Sequence, residues 1–259
     1  MVFDLSLALL PVFGFLIGLF VTIVGGGGGV FYVPVLTLFF GVPTQLAVAT
    51  SLASVLPTTI TGAISHNRLG NVNARIGVIF GAGGIVGTLL GAYIASMIPS
   101  ALLKKIFGLF LLVLTIPMVL NALKRRERSY NEGSAVLTGP KKLAGSLFGV
   151  ASGTMAGLFG ISGTPPVTAG LYLLGLPAMV VVGTSIFVLT FNAVSGLVGY
   201  FMLGQFDLML IILLGGGGAL GAFLGPKLVK KIDRKTLEKV YAPLLVSLNF
   251  IIGFAMILT

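Results

Sequence analysis

The stretch Gly41-Val42-Pro43-Thr44-Gln45-Leu46-Ala47-Val48-Ala49-Thr50-Ser51 has a counterpart 134 residues later, Gly175-Leu176-Pro177-Ala178-Met179-Val180-Val181-Val182-Gly183-Thr184-Ser185. Both open on Gly-x-Pro, stay largely apolar, and close on Thr-Ser. The same offset carries Gly62 and Gly70 onto Gly196 and Gly204. It also carries Gly81, Gly83, Gly84, Gly87 and Gly91 onto Gly215, Gly217, Gly218, Gly221 and Gly225. The chain is therefore two copies of one unit.

What surrounds these copies is apolar. The chain has 259 residues, 8% of them charged, and a mean hydropathy of +1.12. A soluble domain carries roughly a quarter charged residues. Several apolar runs exceed the roughly 18 residues that mark a spanning helix. They are continuous, whereas a transmembrane barrel shows short alternating segments. The expected class is an all-α polytopic membrane protein. With no cysteine, disulfides, thiol catalysis and Cys-ligated metal are excluded. Met1–Leu10 carries Asp4 and no Lys or Arg, unlike the basic start of a signal peptide, so the first apolar segment is expected to be retained.

Each half reads as one broken segment followed by three full spans. In the first, an apolar stretch over Leu5–Val24 meets Gly25–Gly29 and resumes over Val30–Phe40. Spans follow at Gln45–Ser65, Asn73–Ile98 and Ala101–Leu123. In the second, Leu143–Leu158 breaks at Gly160-Ile161-Ser162-Gly163-Thr164-Pro165-Pro166 and resumes to Leu174. Spans follow at Ala178–Phe201, Leu208–Val229 and Thr236–Leu258. Glycine and proline continue a helix poorly, through lost backbone entropy and a missing N–H. The piece after each break has only about a dozen residues and rises roughly 18 Å, short of a core about 30 Å thick. Each break is thus the expected tip of a re-entrant hairpin or a discontinuous helix, tolerated where protein or a water-filled cavity surrounds it.

Charge sets the orientation. Lys124, Arg125, Arg126, Arg128, Lys141 and Lys142 mark the connection between the halves as cytoplasmic. Counting spans outward puts Arg68 and Arg75 on that side, with Lys227, Lys230, Lys231, Arg234, Lys235 and Lys239. Only Lys104 and Lys105 fall outside, so fourteen of the sixteen basic residues share one side. The net charge of +10 is then a matter of membrane orientation, not of nucleic-acid binding. Three spans plus a returning hairpin make an odd number of crossings per half. The halves are therefore expected to be inverted repeats with both termini outside: an N-terminal repeat over 1–123, a cytoplasmic linker over 124–140 and a C-terminal repeat over 141–259.

Inverted repeats with broken helices predict a transporter with its substrate near the midplane. Unwinding frees backbone N–H groups, and each restarting helix offers its positive dipole end, which together suit an anion. The candidate site comprises Gly27, Gly28 and Gly29 from the first break and Ser162, Gly163 and Thr164 from the second. Thr50, Ser51, Thr184 and Ser185 follow the Gly-x-Pro turns. Their hydroxyls bond either a carbonyl of their own helix or a ligand. Asn192 is the least expected side chain in an apolar span and should face the bundle interior. Gly83, Gly87, Gly91 and Gly217, Gly221, Gly225, spaced by four, read as close helix packing. Gly216-Gly217-Gly218-Ala219-Leu220-Gly221 matches a dinucleotide fingerprint in letters only, since no strand precedes it.

Ionisable residues within the spans are nearly absent. His66, the only histidine, is the one candidate for proton coupling, because histidine is the residue type that changes charge near neutrality. One histidine and no cysteine do not build a transition-metal site. Gly160-Ile161-Ser162-Gly163 also matches the Gly-x-Ser-Gly of rhomboid-type intramembrane proteases. A serine nucleophile needs a base, and His66 lies in the other half near a loop.

At these residues the chain resembles the TauE/SafE family of sulfite and organosulfonate exporters. The features are Gly25–Gly29 followed by Pro34, the Gly-Val-Pro turn with Ala49-Thr50-Ser51, and Gly160–Pro166 with Gly183-Thr184-Ser185. The resemblance covers nearly the whole chain outside the linker. It implies export of sulfite, sulfoacetate, sulfolactate or a related anion, with uptake in some members. The expectation is a non-enzymatic secondary transporter of the inner (plasma) membrane, working by alternating access and coupled to the proton gradient. No cofactor or metal is expected. The expected partners are a small sulfur-containing anion and membrane lipid, with a homodimer left open. An anion channel or uniporter on the same scaffold is the alternative within transport, and a protease using Ser162 the alternative outside it.

Overall fold

The computed structural model describes residues 5–24, 29–123, 139–229 and 234–259. A 3-10 turn over Leu5–Leu9 leads into α1 (Leu10–Val24) and α2 (Gly29–Pro34), which runs on as a π turn over Val35–Phe39. Then come α3 (Thr44–Arg68), α4 (Ala74–Met97) and α5 (Ser100–Leu123). The second half holds α6 (Gly139–Phe159), α7 (Thr164–Leu173), α8 (Ala178–Met202), α9 (Leu208–Val229) and α10 (Arg234–Leu258). There is no strand among the described residues. Of these helices, α3, α4 and α8 are long and apolar enough to cross a membrane by length and composition.

The same turns close equivalent helices. Gly70 and Gly204 take left-handed φ values of 73° and 69°. The Asn71 N–H reaches the His66 carbonyl and the Gln205 N–H reaches the Tyr200 carbonyl, both at 2.9 Å. These six-to-one bonds satisfy carbonyls left open at a helix end. After the turn, Asn73 Oδ1 accepts the Ile76 N–H and Asp207 Oδ1 accepts the Leu210 N–H, both at 3.1 Å. Each is an N-cap, which stabilises by roughly 1 kcal/mol.

α3 and α8 cross antiparallel at the centre, with Gly62 against Ile186 and Gly196 against Leu52. α4 packs parallel to α6. A Cβ on Gly83, Gly87 or Gly91 would stand 2.3, 2.1 or 2.5 Å from the carbonyls of Ser146, Val150 and Thr154. From the other side, Gly149, Gly153 and Gly157 press on the carbonyls of Phe80, Gly84 and Thr88. α1 packs on α9 in the same way, Gly14 on the Leu214 carbonyl and Gly18 on the Gly218 carbonyl. α5 and α10 run antiparallel, with Gly108 against the Gly253 carbonyl and Lys104 Nζ 3.3 Å from Thr259 Oγ1. Among the described residues, the α4–α6 and α1–α9 interfaces are thus equivalent by the sequence offset, and the α3–α8 and α5–α10 interfaces each join two equivalent helices.

The register of that exchange refines the constant offset. From Gly41 onward it is 134. Before the turn it is 135: Gly14 and Gly149 touch the equivalent carbonyls of Leu214 and Phe80, and Gly18 and Gly153 those of Gly218 and Gly84. The first half therefore holds one additional residue between the break and the Gly-x-Pro turn. The π turn at Val35–Phe39 absorbs it, so the Val42 N–H reaches back six residues to the Leu36 carbonyl, whereas the Leu176 N–H reaches back five to Leu171.

Several boundaries differ from expectation. α6 starts at Gly139 instead of Leu143, within the expected linker, and α10 at Arg234 instead of Thr236. Two other differences bear on the site. α3 continues beyond Ser65 to Arg68, closed by the Gly70 turn, so His66 lies in its last turn. The second break is only Gly160–Gly163, because α7 already starts at Thr164 with Pro165 and Pro166 in its first turn. Proline is tolerated there, since those N–H groups have no intrahelical acceptor.

Polarity is distributed as lipid requires. Thr50, Ser51, Ser54, Ser152, Ser162, Thr184, Ser185 and Asn192 are buried, while Leu16, Ile64, Val86, Leu109, Ile212 and Phe223 face outward. Carrying so much exposed apolar surface is unfavourable in water and natural in a bilayer.

Candidate functional site

The second break approaches the start of α2. Gly29 meets it so closely that a Cβ there would stand 1.9 Å from the Gly160 carbonyl oxygen and 2.8 Å from the Ile161 Cα. Gly160 and Gly163 both take left-handed φ values, 67° and 76°, conformations that glycine adopts without steric penalty. The turn between them closes through the Gly163 N–H and the Ile161 carbonyl. Helix α2 on one side and α7 on the other therefore begin near the same point.

Side chains from three helices hold the second break in place. The Ser51 hydroxyl of α3 donates to the Gly160 carbonyl at 2.9 Å. Ser152 of α6 donates to the Gly163 carbonyl at 2.7 Å. Asn192 of α8 donates through Nδ2 to Ser152 Oγ at 2.9 Å and to the Ser162 carbonyl at 3.2 Å. Carbonyls exposed by unwinding are thus satisfied internally, as burial demands. Asn192 Oδ1 has no hydrogen-bond partner among the described residues. It lies over Gly84, where a Cβ would be 2.2 Å away.

The equivalent notch in the other half is filled differently. Gly218 corresponds to Gly84 and receives the Tyr32 hydroxyl. Thr58 corresponds to Asn192, but its hydroxyl turns back to the Val55 carbonyl in its own helix at 2.6 Å. The two halves share their scaffold and differ in the polar groups at its centre.

The expected site residues fall into three groups. Gly29, Ser51, Ser162, Gly163 and Asn192 are drawn together around the second break, with Thr164 opening α7 beside them. Thr50 and Ser185 are buried, and neither hydroxyl has a partner among the described residues. Thr184 and His66 lie elsewhere: Thr184 Oγ1 accepts the Asn73 N–H at 3.0 Å, and Gly183 abuts the Asn71 carbonyl and the His66 Cβ. That region is nine residues, about 13 Å, along α8 from Asn192. Thr184 therefore fastens a helix connection instead of joining the group around the break. Gly27 and Gly28 lie outside the described residues.

Sequence reading missed Ser152, Gly84, Tyr32 and Gly218. The four-residue spacing of Gly145, Gly149, Gly153 and Gly157 in α6 was a legible signal, because it marks the helix packed most closely and Ser152 adjoins it.

No carboxylate, lysine, arginine or histidine enters these contacts, and no cluster of three His, Cys, Asp or Glu occurs among the described residues. Any charge bound here would be met by N–H groups, hydroxyls and helix dipole ends. The α7 start is a depleted donor: Pro165 and Pro166 have no N–H, and the Gly163 N–H is already bonded. The Thr164 N–H and the hydroxyls of Ser162 and Thr164 remain, since the Val167 N–H is the first to bond within the helix, to the Gly163 carbonyl. Acyl transfer at Ser162 has no base, since the contacts of His66 are with the start of α8 and those of Ser162 with Asn192.

Residues 10–252 match the family model for the sulfite exporter TauE/SafE. A probable membrane transporter protein of Bacillus subtilis, YdhB, is 32% identical over 225 residues, covering 86% of this chain and 91% of the relative. A second from the same organism, YunE, is 26% identical, covering 91% and 93%. A probable membrane transporter protein of Methanocaldococcus jannaschii is 28% identical, covering 99% and 97%. No solved structure matches the chain. With the family model spanning nearly the whole length, the chain belongs to the sulfite exporter TauE/SafE family of membrane proteins.

Proposed function

We propose that the protein is a secondary transporter that exports a small sulfur-containing anion, sulfite or an organosulfonate such as sulfoacetate. The carrying observation is the approach of Gly29 to Gly160, which brings the starts of α2 and α7 together beside Ser51, Ser162 and Asn192. Two positive helix ends and several hydroxyls would hold a compact divalent or monovalent oxyanion without a buried cation. The hydroxyls of Ser162 and Thr164 would donate to the anion and give the second half-site its selectivity. Asn192, whose Nδ2 donors are used on Ser152 and the Ser162 carbonyl, would meet through Oδ1 the proton of a species such as bisulfite.

The scaffold we infer is a pair of inverted repeats, 1–123 and 141–259, joined by a cytoplasmic linker over 124–140, in the inner membrane with both termini outside. Antiparallel α3 and α8, and antiparallel α5 and α10, support this reading: each pair is equivalent under the repeat yet runs in opposite directions. Alternating access would then be a rocking of one repeat against the other about the α3–α8 crossing. In the closed centre Ser51, Ser152 and Asn192 are fully buried, as expected between inward-open and outward-open forms. His66 is the coupling residue we propose for the proton gradient, on the ground that its buried Nδ1 has no partner among the described residues.

The test is thermal unfolding of the purified protein with sulfite, sulfate, thiosulfate, sulfoacetate and taurine. A ligand stabilises by about 2.7 kcal/mol at a hundred times its Kd. The proposal expects sulfite or a sulfonate to raise the unfolding temperature in a concentration-dependent way. If none of the five does so at millimolar levels, the substrate assignment is wrong.

A further inference from the structure

We propose that the groove between α3, α4 and α8 is a binding site for an anionic phospholipid, with an acyl chain in its apolar length and the headgroup on Arg68. The groove encloses about 560 Å³ and is lined by Ile60 and Ile64 of α3, Leu89 of α4, and Phe187, Phe191 and Val198 of α8, among others. A second cavity of about 380 Å³ adjoins it, since Ile64 lines both, and is bounded by Ser65 and Arg68. Ile60, Ile64 and Arg68 are spaced by four on one face of α3, so the apolar track leads to the guanidinium. No acidic residue lines either cavity.

Three observations select this occupant. From Phe187 to Val198 the groove follows α8 for eleven residues, about 16 Å, close to one leaflet of a core about 30 Å thick. The polar end is unique to one side. Ile60 and Ile64 are equivalent to Val194 and Val198 under the repeat, but the equivalent of Arg68 is Met202, 79% exposed. Because all four residues line the same groove, its two ends are equivalent in position, yet only one carries a cation, and that end suits a headgroup. Finally, guanidinium binds phosphate through paired N–H donors, with the Ser65 hydroxyl beside it. On the proposed orientation Arg68 lies at the cytoplasmic leaflet; the pairing of groove and Arg68 does not depend on that orientation.

The experiment is native mass spectrometry of the full chain in detergent with dioleoylphosphatidylglycerol or dioleoylphosphatidylcholine. Phosphatidylglycerol should bind about fivefold more tightly, the size of one basic contact at a membrane surface. Arg68→Gln should erase that preference, and Lys105→Gln, on an exposed residue at the start of α5, should keep it. Val194→Phe, which fills the groove from an exposed position, should lower binding of both lipids. Equal binding by the wild type, a preference retained in Arg68→Gln, or full displacement by millimolar glycerol phosphate would each overturn the proposal. So would a lipid preference that vanishes because the chain forms a dimer through this face. Sulfite-dependent unfolding in the same samples is read separately, so failure of the substrate assignment leaves the lipid result intact.

Discussion

Replacing Gly87 with alanine adds one carbon at the α4–α6 seam, where no side chain is free to yield. The new Cβ would stand 2.1 Å from the Val150 carbonyl oxygen, 2.8 Å from the Thr154 nitrogen and 2.9 Å from the Val150 carbonyl carbon. All three are backbone atoms, so relief requires the helices to part by about 1 Å, and gaps of that size forfeit up to half of each dispersion contact. Overpacking of this kind costs about 1–3 kcal/mol. Gly216→Ala supplies the control, because a Cβ there meets nothing within 4 Å. It should be neutral or stabilise by up to about 1 kcal/mol, through helix propensity alone. At about 2–4 °C per kcal/mol for a chain of this size, the two variants should unfold several degrees apart in detergent. Gly221→Ala, whose Cβ would lie 2.0 Å from the Phe15 carbonyl in the equivalent seam, should behave like Gly87→Ala. Gly87→Ala unfolding within a degree of Gly216→Ala would refute the close-packed seam.

Other substitutions probe the centre and the orientation. Ser51→Ala removes the bond to the Gly160 carbonyl and should cost about 0.5–1.5 kcal/mol, whereas Ser185→Ala, at an unpartnered hydroxyl, should unfold close to wild type; equal losses would deny the asymmetry. Asn192→Ala releases the Ser162 carbonyl and Ser152 Oγ and should destabilise by about 1–2 kcal/mol in the same unfolding assay. Because the chain has no cysteine, single substitutions report orientation directly. An impermeant maleimide on intact cells should label Ala101→Cys and leave Ser134→Cys unlabelled until the cells are opened; the reverse pattern would invert the proposed topology.

Most of the helical frame was legible because the signals are one-dimensional. Apolar length and the Gly-x-Pro turns both act within a few residues of chain. The second break was located for the same reason, although Pro165 and Pro166 were assigned to the gap when they begin α7. Sequence marks proline as a helix breaker without telling whether it starts or ends one. The additional residue in the first half was illegible, since a π turn has no composition of its own and only the contacts of Gly14 and Gly149 expose the shifted register. The candidate site was read in part. Asn192 stood out as a polar residue among apolar ones, while Ser152 did not, because a serine beside a glycine stripe reads as packing. Thr50-Ser51 and Thr184-Ser185 are alike in letters and unlike in use: Ser51 holds a break, and Thr184 holds the loop at Asn73. That difference depends on which helix lies opposite, a property of the assembled bundle.

Efflux of radiolabelled sulfite from proteoliposomes, compared between wild type, Gly29→Ala and Gly216→Ala, tests the central claim most directly. The account predicts gradient-driven efflux and counterflow in the wild type and in Gly216→Ala. It predicts their loss in Gly29→Ala, whose methyl group would occupy the point where the second break meets α2. Sulfite movement unchanged by Gly29→Ala, or current without counterflow, would contradict it.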